Sequence, residues 1–343
     1  MRGGCIMKID LGNKIQGYFS GKKVLITGAT GTIGKAILNK ILNTDVDVVR
    51  VFSRDEYKQF NMMQEYTDPR LRFFLGDVRD KERLKFALLG VNVVIHCAAL
   101  KHVPLCEYNP FEAVKTNVFG TQNLIEVAIE EGVERFITIS TDKAVSPTST
   151  MGATKLLAER MTVSANNFKG GSPTRFMAVR FGNVLGSRGS VLDLWVKQAR
   201  SGYITLTHEE MVRYFMRIED AAELVLKALV VGEGGEIFIL PMKKVFMKDF
   251  ARAFCDVWNE LTGRSLDIKK IGVRPGEKME EELVTEVELR SAFLKNGMIA
   301  IDFKNDVTIS EEDRSVLKDK LNEFMSYQEI KDLINGYLKG LFN

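Results

Sequence analysis

One run constrains this chain more than any other: Val24-Leu25-Ile26-Thr27-Gly28-Ala29-Thr30-Gly31-Thr32-Ile33-Gly34. Its first four residues are apolar or β-branched and read as a buried strand. The segment Ile33–Leu42 that follows has helical periodicity. Three glycines therefore stand where a strand gives way to a helix. A β-carbon at Gly28 or Gly31 would keep a pyrophosphate away from the N–H groups at the helix N-terminus, and Gly34 lets the helix lie close to the sheet. We expect Gly28, Thr30, Gly31, Thr32, Ile33 and Gly34 to hold a dinucleotide.

The rest of the chain repeats that unit. Lys23–Ala29, Val48–Arg54, Leu71–Asp77, Val91–Ala98, Arg135–Thr141, Arg175–Asn183 and Glu236–Pro241 read as strands, several of them continuous apolar runs that need cover on both faces. Ile33–Leu42, Lys81–Leu89, Phe111–Glu131, Gly152–Phe168 and Glu219–Val231 read as helices. Alternation of this kind predicts an α/β fold: a Rossmann-type doubly wound parallel sheet with a smaller, interleaved C-terminal substrate domain. The divisions expected are an N-terminal extension over 1–20, a dinucleotide-binding domain over 21–185 to which 216–242 returns, and a mainly substrate-binding part over 186–343. The charged stretch Glu311–Leu341 is expected to be helical and to pack on the surface or on another subunit.

Composition excludes several classes. Forty-eight basic against 45 acidic side chains give a net charge of +3, too small to make nucleic acid or an anionic membrane the main partner. Four cysteines without C-x-x-C spacing and three histidines give no zinc pattern, so no metal is expected and the thiols read as reduced, in a cytoplasmic protein. No run of eighteen apolar residues is present, and Asp10 interrupts the opening stretch where a signal peptide needs an apolar one.

The second strand ends in Ser53-Arg54, with Lys58 one turn later. A carboxylate at that point suits the ribose 2′-hydroxyl of NAD; a hydroxyl and a guanidinium suit the 2′-phosphate of NADP. NADP is therefore expected over NAD, although Asp55 stands next to the pair. Asp77 closes the third strand and suits either the adenine amine or a helix cap. Val78, Ala98, Ala99, Lys101, Asn117 and Ser140 are assigned to the same groove.

Ser140-Thr141-Asp142-Lys143 closes the fifth strand, and Met151-Gly152-Ala153-Thr154-Lys155 follows. With the glycine run, these motifs resemble the extended short-chain dehydrogenase/reductases that modify nucleotide sugars. Ala98 to Pro104, Glu112 to Asn117, Arg180-Phe181-Gly182-Asn183-Val184 and Arg274-Pro275-Gly276-Glu277-Lys278 carry the resemblance further, to the UDP-N-acetylglucosamine 4,6-dehydratases. It spans about Lys23 to Val284 and covers the soluble catalytic part of that family. It implies C4 oxidation by NADP, loss of the C5 proton and of water from C6, and return of hydride to C6. It also implies Asp142 as the acid at C6 and Lys143 as the base at C5, each with a displaced pKa. Met151 stands where the family usually has tyrosine and cannot accept the C4 hydroxyl proton. Lys155, one turn on, and Thr141 are the remaining candidates to hold the nicotinamide ribose or relay that proton.

For the UDP-sugar, the resemblance and the need to neutralise two phosphates point to Arg274, Arg188 and Arg213. Asn183, Glu277, Lys101 and His102 join them, Glu277 as a ribose ligand or a structural ion pair. His96, inside an apolar strand, reads as a core residue, and His208 has no motif around it. Retention at C5 is expected over inversion. A 4-epimerase or reductase, which depends on the tyrosine, and a non-catalytic NADP-binding scaffold are the alternatives. Relatives of this kind associate, so a homo-oligomer is expected.

Overall fold

Strands that are apolar at every position need both faces covered, and the chain meets that need by alternating them with helices. The computed structural model describes residues 11–274, 276–303 and 309–342. Cys5 and the rest of the first ten residues, with Pro275, lie outside the described residues. A helix α1 (Leu11–Phe19) leads into β1 (Lys23–Thr27), α2 (Thr32–Leu42), β2 (Val48–Ser53), α3 (Glu56–Glu65), β3 (Leu71–Leu75), α4 (Lys81–Leu88) and β4 (Val93–His96). Then come α5 (Val103–Tyr108), α6 (Pro110–Ala113), a π-helical turn over Val114–Phe119, α7 (Gly120–Glu130), β5 (Arg135–Ile139), α8 (Thr150–Phe168) and β6 (Arg175–Arg180).

The expected helix over Phe111–Glu131 is thus interrupted. Its π turn aims Asn117 at the loop after β4, where its amide accepts from Leu100 N–H at 2.8 Å and donates to Leu100 C=O and Thr154 Oγ1, each at 3.0 Å. Helix α3 was not anticipated, because its face carries exposed Tyr57, Phe60 and Met63 and lacks a clean apolar stripe. Asp55 caps it by accepting from Lys58 N–H.

The remaining elements are β7 (Asn183–Val184), α9 (Val191–Ala199), β8 (Tyr203–Leu206), β9 (Val212–Met216), α10 (Ile218–Val231), β10 (Glu236–Ile239), β11 (Lys244–Phe246), α11 (Met247–Thr262), β12 (Asp267–Lys270), β13 (Ala292–Lys295), β14 (Met298–Asp302), α12 (Glu311–Asn322) and α13 (Tyr327–Phe342). The main sheet runs β3-β2-β1-β4-β5-β6-β10-β14-β13. It is parallel as far as β10, and β14 and β13 then add antiparallel. Strand order reverses between β1 and β4, which opens a crevice beyond the carboxyl ends of the strands. The hairpin β13–β14 joining this sheet is a departure from the sequence reading, which returned only the strand near Ile237. Ala292, Met298, Ile299, Ala300 and Ile301 are all buried there, yet the run is too short and too uniformly apolar to declare its partner.

A second core lies beside the sheet, built on Trp195, Phe215, Phe250, Phe254 and Trp258. Helix α13 closes it with Ile330, Ile334 and Leu338. The charged C-terminal stretch therefore packs within its own chain, and as two helices. Between them the backbone straightens to pair with β11, Lys244 N–H donating to Glu323 C=O and Met325 N–H to Lys244 C=O. Leu317 and Leu321 enter the main core, and Phe324 stacks on Phe246 with ring centroids 4.8 Å apart. Among the described residues no helix is long and apolar enough to cross a membrane.

Candidate active site

The groove beyond β1 and β4 has a volume of about 430 Å³. Gly28 takes φ +66°, and a β-carbon on it would sit 2.8 Å from the backbone nitrogen of Ala98. The glycine is thus required by the neighbouring strand exit, whereas the sequence reading assigned the conflict to the phosphate. At Gly34 a β-carbon would come within 2.6 Å of Ala29 Cα, so that glycine does set the helix against the strand, as expected. The N-terminus of α2 faces the groove with Gly31 as its N-cap and no side-chain cap, whereas α3, α4 and α8 are capped by Asp55, Asp80 and Ser149. An uncapped helix start walled by Gly28, Gly31, Thr32, Ile33 and Gly34 fits a pyrophosphate.

At the end of β2, Ser53 is buried, its hydroxyl 3.1 Å from Thr30 Oγ1 and accepting from Asp55 N–H. Asp55 is engaged in capping α3 and pairing with Lys58, and both residues line the groove. Arg54 is left as the exposed group there, 3.7 Å from Asp77. Asp77 itself is gripped by Arg79, with Nε and Nη2 at 3.1 and 2.8 Å. It caps no helix, since Asp80 does that for α4. Val78, Ala98, Ala99 and Lys101 line the groove; Asn117 is spent on the Leu100 loop and holds its wall from behind.

The groove opens into a second cavity of about 450 Å³, walled by the ends of β5 and β7, by α9, β9 and the turn from 274 to 281. At the exit of β5 a single 3-10 turn, Asp142–Ala144, presents the expected pair. Asp142 is fully buried. Its Oδ1 accepts from Thr141 Oγ1 and from Lys143 Nζ, each at 2.9 Å, while Oδ2 has no hydrogen-bond partner. Lys143 Nζ also reaches Asn183 Oδ1 at 3.3 Å. Helix α8 supplies Met151 and Lys155 to the same cavity. Lys155 Nζ donates to Ile139 C=O, and burial, opposed by the charge of Glu159, pushes its pKa down to about 8. Ser140 lines this cavity as well.

Of the residues expected on the sugar side, Lys101, His102, Asn183, Arg213, Arg274 and Glu277 wall the cavity. Arg213 is braced by the carbonyls of Val212, Met279 and Lys278. Glu277 mainly closes its own turn, accepting from Arg274 N–H at 3.3 Å, with Arg274 Nη1 4.0 Å from its other oxygen. Arg188 does not join them: it lines the dinucleotide groove, its N–H 3.3 Å from Thr32 Oγ1. His96 is a satisfied core residue, 2.7 Å from Thr27 Oγ1 and 3.0 Å from Thr121 Oγ1, and burial pushes its pKa down to about 3.

Sequence reasoning missed Glu281. It is buried in the cavity wall, Oε1 3.8 Å from Lys143 Nζ and Oε2 3.9 Å from Lys278 Nζ, with no hydrogen bond to Oε2. Burial raises its pKa against the opposing charge of Lys143. Three successive glutamates, Glu280 to Glu282, read as a solvated face, so nothing local marks the middle one.

A family model described as a polysaccharide biosynthesis protein matches residues 24–301. Among curated proteins, the chain is 48% identical over 324 residues to an uncharacterized membrane protein of Methanocaldococcus jannaschii, covering 93% of this chain and 97% of that one. It is 40% identical over 309 residues to an inverting UDP-N-acetylglucosamine 4,6-dehydratase of Campylobacter jejuni, covering 89% and 87%. It is also 39% identical over 279 residues to a UDP-glucose 4-epimerase of Rickettsia rickettsii, covering 80% and 81%. Of solved structures, Pen from Bacillus thuringiensis superposes with a TM-score of 0.86 at 41% identity, covering 93% and 98%. The dTDP-glucose 4,6-dehydratase DesIV of Streptomyces venezuelae, solved with NAD bound, gives 0.68 at 25%, covering 76% and 88%.

Proposed function

Because the chain belongs to the polysaccharide biosynthesis protein family, a branch of the extended short-chain dehydrogenase/reductases, we propose that it dehydrates UDP-N-acetylglucosamine across C5 and C6 to a UDP-4-keto-6-deoxy sugar. The observation that carries this reading is the Asp142–Lys143 pair, held at 2.9 Å with Lys143 in the cavity wall and Asp142 buried behind it, and with a thioether in place of a phenol on α8.

The C5 proton of a hexose becomes acidic only when C4 is a ketone, and reversible acceptance of hydride from C4 is the chemistry a bound nicotinamide supplies. The protein's own groups handle the protons. Thr141 already donates to Asp142, so as its hydroxyl takes the C4 hydroxyl proton it passes its own to the carboxylate. That move loads Asp142 with the proton it then gives to the departing C6 hydroxyl, which leaves as water. Lys143, as a free amine, takes the C5 proton, and the C5–H electron pair moves toward C6 as the C6–O bond breaks. The turnover would end with a proton delivered to C5 and hydride supplied back to C6 by the nicotinamide that the groove would hold. Lys155, in the cavity wall one turn beyond Met151, would hold the nicotinamide ribose.

NADP is the cofactor we propose. Arg54 is the exposed group at the end of β2, and the carboxylates lining the groove among the described residues, Asp55 and Asp77, are engaged by Lys58 and by Arg79. The Campylobacter jejuni dehydratases that the chain resembles are inverting, and we propose inversion at C5 in place of the retention expected from sequence. The test is incubation with NADP and UDP-N-acetylglucosamine, followed by mass spectrometry. Loss of one water supports the dehydratase; unchanged mass with C4 inverted would make the protein an epimerase; unchanged substrate would reduce it to a binding scaffold. Proton NMR of product formed in deuterated water reads the C5 configuration.

A further inference from the structure

The segment 186–190 leaves β7 on the sugar side and crosses to the dinucleotide side as a short strap. Arg188 N–H donates to Thr32 Oγ1, on the first residue of α2. The strap is seated at both ends. Gly189, at φ +73°, lies so close to His102 that a β-carbon would be 2.6 Å from the ring Cε1, and its N–H donates to Asp193 Oδ2 at 2.9 Å. Gly186, at φ +65°, lies against the ring of Tyr337 on α13. Ser187, next to Arg188, lines both the groove and the cavity, so the strap lies over the passage between them.

The charges beneath it are unbalanced. Arg54 has Asp77 and Lys58 has Asp55. The exposed Arg188 guanidinium has no ion-pair partner among the described residues. Lys101 shares the groove wall, and burial together with the charge of Arg188 lowers its pKa, against the pull of Asp193. Asp55, held low first by Lys58, also feels Arg188. Two cations near one another over an uncapped helix start repel until an anion lies between them.

We propose that Arg188 clamps a phosphate of the bound dinucleotide from the sugar side, and is not a ligand of the UDP moiety. This rests on the dehydratase reading and deepens it. A reaction that takes hydride from C4 and returns it to C6 never requires the dinucleotide to leave, and a cationic strap over the groove holds it between turnovers.

The experiment is equilibrium binding of NADP⁺, NAD⁺ and UDP to the full chain, by calorimetry, for the native protein, Arg188→Ala and Arg188→Lys. Loss of a charge-assisted contact predicts NADP⁺ weakened about tenfold or more in Arg188→Ala, with partial recovery in Arg188→Lys and UDP unchanged. If NAD⁺ weakens equally, the phosphate held is in the pyrophosphate; if NAD⁺ is untouched, it is the 2′-phosphate. Unchanged dinucleotide affinity in Arg188→Ala, or UDP weakened while the dinucleotides are not, overturns the clamp and leaves the dehydratase reading standing. A native chain that binds neither dinucleotide overturns both. A shared melting midpoint of the three proteins without nucleotide shows that the fold is not what changed.

Discussion

The dinucleotide groove and the sugar cavity share a wall, yet they are made differently. The groove is mainly backbone: an uncapped helix start, strand ends and a glycine pressed against Ala98. The cavity is mainly side chains brought from separate segments, with Asp142 Oδ2 and Glu281 Oε2 buried without hydrogen-bond partners. Backbone N–H groups cannot titrate, so they suit the fixed charge of a phosphate. Burial raises the pKa of Glu281 and lowers that of Lys155, so the cavity disfavours charge on both, which suits groups that exchange protons.

Substitutions can break this contrast. The largest effect is expected in the cavity. Asp142→Asn keeps the shape and removes the acid, so water loss from UDP-N-acetylglucosamine should fall about 10²–10⁴-fold while NADP binding persists; native turnover would remove the acid assignment. In the groove the sensitive element is backbone. Gly28→Ala places a β-carbon against Ala98 at a positive φ, and should lower stability by about 1–3 kcal/mol and abolish NADP binding, as read by chemical denaturation and calorimetry. Glu281→Gln should leave the melting temperature equal or higher, because it removes a poorly satisfied buried acid.

The smallest effect concerns Lys155. Its folded pKa is lowered to about 8, so between pH 8 and the ordinary lysine value the unfolded chain binds a proton that the folded chain does not. Stability from this group therefore rises with pH across that window and is lowest below it. Lys155→Met should abolish that rise, so its advantage in melting temperature over the native protein should shrink from pH 7 to pH 10.

What was legible in the sequence follows the same division. The strand–turn–helix unit at Gly28, the parallel strands and the Asp142–Lys143 turn are short-range patterns, and each lies within a few residues of its own signal. Glu281 and the hairpin β13–β14 owe their places to partners more than fifty residues away, and Arg188 to Thr32 across the groove. Arg188, expected on the sugar side, lines the dinucleotide groove instead, because charge type marks a phosphate ligand without saying whose phosphate. The helix break between α12 and α13 was hidden because it pairs with Lys244, far off in the sequence.

Arg180 has a consequence for synthesis. It is fully buried at the end of β6, bonded to Glu159 on α8 and to Glu288, with Leu283 C=O as a further acceptor. A nascent chain that has emerged only past β10 carries this guanidinium with one of its two carboxylates. Removing a partner from a buried ion pair is strongly destabilising, so the helix bearing Met151 and Lys155 is not fully held until the segment carrying Glu288 has emerged. Maturation of this protein is thereby tied to a carboxylate 108 residues downstream of its guanidinium.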